Sequence, residues 1–169
     1  ATGGVVPDGV GQVILVNCTA VTVANQSLSN MSIGVLAAYS SNLSIHNNQI
    51  FNNSGYGVSL IKAENVTVER NDFIDNNPNG TSQANDDGIN NIFAYNYWNE
   101  WTEPDSNGDG LVDLPYPIDG GANNQDLSPR TLPMQGSASS LPDQLLITLV
   151  LVVSILGALS ISVWVQRRG

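Results

Sequence analysis

Positive charge and sulfur are scarce in this chain. It carries five Lys and Arg against fifteen Asp and Glu, with one His and one Cys in 169 residues, for a formal net charge of −10. A surface of that sign repels phosphate backbones, so nucleic acid is excluded as a partner. Cys18 alone can form neither an internal disulfide nor a cysteine-based metal site, and beside Val16 and Thr19 it reads as a small buried apolar residue. One His, one Cys and the distant Met31 and Met134 make no copper ligand set. No basic n-region and no signal-like apolar run follows Ala1, so a longer parent chain is expected. Of the acids only Asp8 precedes Glu64, which makes acidity a property of the C-terminal half.

Long hydrophobic runs are limited to one. Residues 145–165 read LLITLVLVVSILGALSISVWV without a charge, and fourteen of the 21 are Leu, Ile or Val. At about 1.5 Å per residue a helix of that length spans roughly 31 Å, the thickness of a hydrocarbon core. Trp164 stands at interface level and Arg167-Arg168 follow. Positive charge stays inside, so residues 166–169 are expected as a cytoplasmic tail. The bulk of the chain is then extracellular or periplasmic, held to the cell membrane by a single pass. Residues 127–144, rich in Pro and Ser, read as a linker.

What the chain has in quantity is asparagine, 21 residues of it, arranged in a repeat. Gly11, Gly34 and Gly57 recur at spacings of 23 and 23, and Val21, Leu43 and Val66 at 22 and 23. The unit is Gly-Val-x-Leu, a turn, Asn-Val-Thr-Val, x-x-Asn-x-Phe, then Asn-Asn. Two short β-branched strands per unit, broken by Asn, Ser and Gly, fit neither a helix nor a hairpin meander. Each unit therefore reads as one coil of a solenoid. Val21 and Val23, Leu43 and Ile45, Val66 and Val68, then Leu28, Ile50 and Phe73 are expected inside. Asn48, Asn71 and Asn96 fall at one coil position and are expected to stack as a hydrogen-bonded ladder.

This pattern resembles the right-handed parallel β-helix repeat proteins, of the NosD-like and pectin-lyase-like kind. The resemblance covers about residues 10–126, and its most specific part is the aromatic, Asp-rich ending from Asn96-Tyr-Trp-Asn99 to Asn124-Gln-Asp126. It implies an all-β fold, with β-helix rungs over 1–99 and a cap over 100–126, and the apolar run at 145–165 adds one transmembrane helix after them. Residues 77–87 read as an inserted surface loop, followed from Gly88 by a shortened last rung.

The strongest chemical motif is Asp105-Ser-Asn-Gly-Asp-Gly-Leu-Val-Asp113. Asp105, Asn107, Asp109 and Asp113 occupy loop positions 1, 3, 5 and 9, Gly110 the sharp turn at 6, and Leu111 would offer a carbonyl at 7. The motif is similar to calcium loops of the EF-hand and dockerin kind, but Tyr116 stands where their bidentate acid falls. Calcium is the expected cofactor. Seven Asn-x-Ser/Thr sequons occur, among which Asn79, Asn52 and Asn30 are the glycosylation candidates. No catalytic residue is assigned, because Lys62, Glu69, Arg70, Asp72 and Asp75 read as solvated charges and His46 as a lone outward side chain.

The expected role is structural or adhesive, a solenoid surface offered to cell-surface glycans or proteins. Two alternatives stand beside it. One is a carbohydrate-active β-helix enzyme, a lyase or hydrolase, with its catalytic rungs upstream. The other is a NosD-type accessory protein of copper-site maturation.

Overall fold

A computed structural model describes residues 2–134 and the backbone of residues 148–152. The chain winds as a solenoid whose coils stack in parallel register. Each coil contributes three short strands, one to each of three sheets. The first coil holds β2 (Gln12–Val16), β3 (Thr19–Ala24) and β4 (Ser27–Ser29), preceded by β1 (Thr2–Val5). The second holds β5 (Val35–Ala38), β6 (Ser44–His46) and β7 (Gln49–Phe51). The third holds β8 (Val58–Glu64), β9 (Thr67–Glu69) and β10 (Asp72–Ile74), and the fourth β11 (Ala84–Ile89), β12 (Ile92–Ala94) and β13 (Tyr97–Trp98). The first sheet runs β11-β8-β5-β2, the second β1-β3-β6-β9-β12, and the third β13-β10-β7-β4. The two strands per unit expected from the repeat are thus three, because a bend at the asparagine position splits the second.

Alternation places the expected residues inside. Val21, Val23, Leu28, Leu43, Ile45, Ile50, Val66, Val68 and Phe73 are all buried. They form columns: Val23 pairs with Ile45 and Ile45 with Val68, Leu28 with Ile50 and Ile50 with Phe73. Cys18 is buried among them, its thiol 3.5 Å from the Val16 carbonyl.

The corners explain the asparagines. Among the described residues sixteen non-glycine residues have positive φ, and ten of them are Asn. Extending the strand registers by one residue sorts fourteen of the sixteen into four columns. These are Asn17–Tyr39–Lys62, Ala20–Asn42–Asn65–Asn90, Asn25–Asn47–Arg70–Tyr95 and Asn30–Asn52–Asp75. A flat coil must turn sharply at each corner, and the left-handed region that makes the turn is one Asn enters more readily than other L residues. Six of the seven sequon asparagines lie in these columns, so the backbone alone accounts for their residue type.

Buried amides tie the coils together. The Asn48 backbone N–H and Nδ2 both donate to Asn71 Oδ1, at 3.0 and 2.9 Å, and Asn71 donates likewise to Asn96 Oδ1 at 3.0 and 3.0 Å. The second hydrogen on each Nδ2 goes to a strand carbonyl, Val23 O, Ile45 O and Val68 O. Gln26 stands at this position in the first coil, its N–H on Asn48 Oδ1 at 2.9 Å. A second ladder runs Asn53 to Asn76 to Gln83. Its signal in the sequence was the pairs at 52–53 and 76–77, of which one member turns the corner and the other enters the interior.

Each amide column points its N–H toward the C-terminal end, and each ends on a carboxylate there. Asn96 donates to Asp126 Oδ2 at 3.0 Å, Gln83 Nε2 donates to Glu100 Oε2, and Asn91 Nδ2 donates to Asp86 Oδ1 at 2.8 Å. Aligned amide dipoles build positive potential at that end, which the carboxylates neutralise, Asp126 and Asp86 buried and Glu100 exposed. The aromatic cap completes the closure. Trp98 stacks between Phe73 and Tyr116, at centroid distances of 4.1 and 4.0 Å, and Trp101 meets Tyr116 edge-on at 5.8 Å. The short strands β14 (Tyr116–Pro117) and β15 (Gln125–Asp126) continue the second sheet over β12.

Four readings of the sequence are corrected. Residues 84–87 belong to strand β11 and not to the inserted loop, because Ala84, Asn85, Asp86 and Asp87 pair with Val58, Ser59, Leu60 and Ile61. The last rung is not shortened, since Gln83 opens it in register with Gly57 while Gly88 sits at a bulge between Asp87 and Ile89. Asp72 is not a solvated charge but fully buried, paired with Arg130 Nη2 at 2.6 Å. The start of the expected linker is docked, with Arg130 bridging to Tyr97 and Leu111, because that buried carboxylate needs a cation.

Within the expected transmembrane helix, Thr148–Val152 run as a strand, β16, in parallel register with β2 from Gln12 to Val16. β2 is otherwise the edge of the first sheet, and its unpaired backbone groups accept a β-branched segment. The rest of 145–165, the tail 166–169 and linker residues 135–144 lie outside the described residues. No helix among the described residues is long and apolar enough to cross a membrane.

Candidate functional site

The outward face of the first sheet changes character along the solenoid axis. Its two outward columns are Ile14–Leu36–Ser59–Asn85 and Val16–Ala38–Ile61–Asp87. The first two coils therefore present aliphatic side chains, and the fourth presents an amide and a carboxylate. Asp119 extends the first column by bridging to Asn85, with Asp86 N–H on the Asp119 carbonyl at 2.7 Å and Asp119 N–H on the Ala84 carbonyl at 3.1 Å.

Around Asp119 the chain gathers groups distant in sequence. The Tyr56 hydroxyl donates to Asp119 Oδ2 at 3.2 Å, and the Thr81 hydroxyl to Oδ1 at 2.8 Å. Asn85 Nδ2 donates to Asp87 Oδ2 at 3.0 Å, and Gly121 N–H to Asp87 Oδ1 at 2.7 Å. Burial, then the charge of Asp119, raises the Tyr56 phenol above its ordinary value. The Gly121 N–H, with help from Asn85, holds the Asp87 carboxyl below its usual range. Ser59, 4% exposed, points outward beneath this cluster. None of Tyr56, Thr81, Asn85, Asp87 and Asp119 was singled out from the sequence as a site. They come from coils three and four, the inserted loop and the cap, and only stacking brings them together.

The Asp-rich loop is built differently. Asp105 accepts the N–H groups of Gly108, Asp109 and Gly110, with Gly108 at φ 71 and Gly110 at φ 84. Asp113 accepts the Ser106 N–H at 2.8 Å, and its hydrogen bonding to Ser106 holds its carboxyl below the usual range. Asn107 Nδ2 donates to Asp109 Oδ2 at 3.0 Å, and Leu111 N–H to Asp109 Oδ1 at 2.9 Å. The carboxylates are thus turned onto N–H donors of their own loop, and among the described residues no three His, Cys, Asp or Glu gather to hold a metal. Tyr116, which stands at the position of the missing bidentate acid, is claimed by the cap: its hydroxyl donates to Glu100 at 2.8 Å and receives the Gln83 N–H. Of the sequon candidates, Asn30, Asn52 and Asn79 are all exposed, and Asn30 and Asn52 are neighbours in one corner column. His46 is half-buried on the outer face of the second sheet, its Nδ1 3.1 Å from Asn47 Nδ2.

Parallel three-strand coils, in-register ladders and a closed end define a parallel β-solenoid. A family model described as a right handed beta helix region matches residues 4–97, more than half of the chain. The protein belongs to that family. No curated protein and no solved structure matches it.

Proposed function

We propose that this protein is a membrane-anchored, outward-facing β-helix that binds neutral glycans on the outer face of its first sheet. The observation that carries this reading is the cluster of Tyr56, Thr81, Asn85, Asp87 and Asp119 beside the aliphatic strip of Leu36, Ala38 and Ile61. A sugar is itself amphipathic, with hydroxyls that donate well to carboxylates and C–H faces that pack on apolar or aromatic side chains. Two carboxylates with no basic partner in their hydrogen bonds disfavour an acidic sugar at this place. Binding of neutral oligosaccharides to the full chain should weaken at least tenfold in Asp119→Asn, about 1.4 kcal/mol. Because Asp87 is held ionised below the usual carboxylate range, its contribution should persist as the pH falls and be lost only beneath that range. A glycan screen in which wild type and Asp119→Asn behave alike would remove the site.

Anchoring rests on the composition of residues 145–165 and the Arg167-Arg168 flank, and requires Thr148–Val152 to leave the edge of β2. Protease added to intact cells should therefore remove residues 1–143 and leave the apolar segment with the membrane. Full protection of the chain would reverse the orientation.

For the 105–113 loop we propose calcium binding, in which the ion takes oxygens of Asp105, Asp109 and Asp113 in exchange for their N–H donors. About 10 mM calcium, saturating for a site of roughly 10⁻⁴–10⁻³ M, should raise the melting temperature above that in chelator. Asp109→Ala should abolish the difference. Coincident melting curves would identify the loop as a metal-free turn.

A further inference from the structure

At the N-terminal end of the solenoid the first and second sheets are covered by different means. β3 is covered by the adjacent β1, with Gly4 against Val21 and Val5 against Thr22. β2 is covered by a strand from far along the chain, with Ile14 against Val150 and Val16 against Val152. The devices that blunt a sheet edge are missing from β2. It reads Gln-Val-Ile-Leu-Val, with no Lys, no Pro and no bulge in its pairing with β5.

Hydrogen-bond parity identifies the groups of β2 that need this cover. Val13 N–H donates to the Gly34 carbonyl at 2.9 Å, and Asn17 N–H to the Ala38 carbonyl at 3.0 Å. Residues of a parallel strand alternate in the side to which they bond, so Val13, Leu15 and Asn17 direct their groups to β5. Gln12, Ile14 and Val16 turn theirs the other way, to the side that Thr148–Val152 occupies. A flat, uncharged row of such groups is a template for an extended apolar segment.

Reach favours the chain's own segment over a second copy. Met134 N–H is held by Asp72, two coils from β2 and so about 10 Å along the axis at the usual strand spacing. Thirteen residues separate Met134 from Thr148, and extended they span roughly 45 Å. The tether therefore crosses the solenoid with length to spare and holds the segment at a high effective concentration. The same residues lie inside the apolar run 145–165. A strand paired along one side leaves backbone groups that hydrocarbon cannot satisfy, whereas a helix satisfies its own. Strand on β2 and span of a bilayer are thus exclusive states of one segment.

We propose that the β2 edge is an acceptor for Thr148–Val152 that shelters this segment in water and releases it to a lipid bilayer. In water the pairing removes two hazards together, an edge open to aggregation and an apolar run open to the same. At a bilayer the whole of 145–165 buries as a helix, so lipid is the stronger host. The release rests on the reading of 145–165 as an anchor, and the pairing in water does not.

The test uses the full chain with Cys18→Ala, so that no native thiol competes. Val16→Cys with Val152→Cys should form a disulfide in lipid-free buffer and give a cross-linked monomer. Val16→Cys with Val150→Cys, offset by two residues to about 8 Å, lies beyond the roughly 7 Å reach of a disulfide and should not. A cross-linked dimer, equal yields from the two pairs, or no cross-link from either overturns the pairing. Phosphatidylcholine vesicles added before the oxidant should abolish the in-register cross-link. In site-resolved amide exchange Ile14 and Val16 should lose protection at that step, while Val13 and Leu15 keep theirs. Ile14→Pro removes a donor that only the segment uses, and leaves residues 145–165 unchanged. It should lose the cross-link in water and still float with vesicles as fully as the parent. A chain that floats with the cross-link intact overturns the release alone. One that keeps the cross-link and does not float overturns the anchor, and one that floats but never cross-links in water overturns the pairing.

Discussion

Replacing Asn71 by leucine should destabilise the solenoid by at least about 4 kcal/mol, as measured by urea unfolding. Asn71 is fully buried at the centre of the first ladder. Its Oδ1 receives the Asn48 N–H and Nδ2, and its Nδ2 serves Ile45 O and Asn96 Oδ1. Leucine is of similar size but strands the two Asn48 donors and the Ile45 carbonyl in the interior, while Asn96 Oδ1 keeps the backbone N–H of residue 71. A buried donor or acceptor left unmade costs about 1–3 kcal/mol, so the sum reaches a large share of the 5–15 kcal/mol typical of a domain. The neighbouring Asn47→Gly is the contrast. Asn47 turns a corner at φ 55, which glycine adopts freely, and the change should stay within about 0.5 kcal/mol. If both substitutions cost alike, the ladder is not what binds the coils.

Trp98→Ala should cost about 3–5 kcal/mol, the range for removing a large buried aromatic. The indole is buried and stacked within 10° of parallel against both Phe73 and Tyr116, and its Nε1 donates to Asp126 Oδ2 at 3.2 Å. Losing it opens a void at the solenoid's end and removes one of the donors that hold a buried carboxylate. Trp98→Phe keeps the stack and forfeits the indole N–H, so roughly 1 kcal/mol is expected there. Trp101, partly buried and in edge contact only, should cost less than Trp98 on truncation to alanine. A Trp101→Ala loss equal to that of Trp98→Ala would show that the cap closes through residue 101 instead.

Both effects involve residues visible in the sequence, and the reason is local. Within a coil, alternation sorts side chains in and out, and stacking returns the same position every 22 or 23 residues. The columns of Val23, Ile45 and Val68, and the amides at 48 and 71, follow from that period alone, whereas Asn96 comes 25 residues after Asn71 and is recognised by its place before Tyr97-Trp98. The departures arise where the period breaks. The insertion before Ala84 and the bulge at Gly88 shift the apparent register, so Gly88 mimics a coil start that Gln83 actually makes. Asp86 then enters the interior opposite Leu60, where its oxygens meet Gly88 N–H, Asn91 and Asn124. A carboxylate on an inward position is unreadable without its partners, because the same residue alone would be expelled to water.

Repetition in the sequence is enough to specify a β-solenoid of stacked coils, its inward columns, its amide ladder and an aromatic, acidic C-terminal ending. Those features depend on contacts between one residue and its copy a coil away, so a repeat encodes them. The pairing of Asp72 with Arg130, the closure of Trp98 under Tyr116, and the meeting of Tyr56 and Thr81 at Asp119 emerge only in the folded chain. Those contacts join residues 18 to 63 apart that share no repeat position, and their free energy exists only once the coils have stacked.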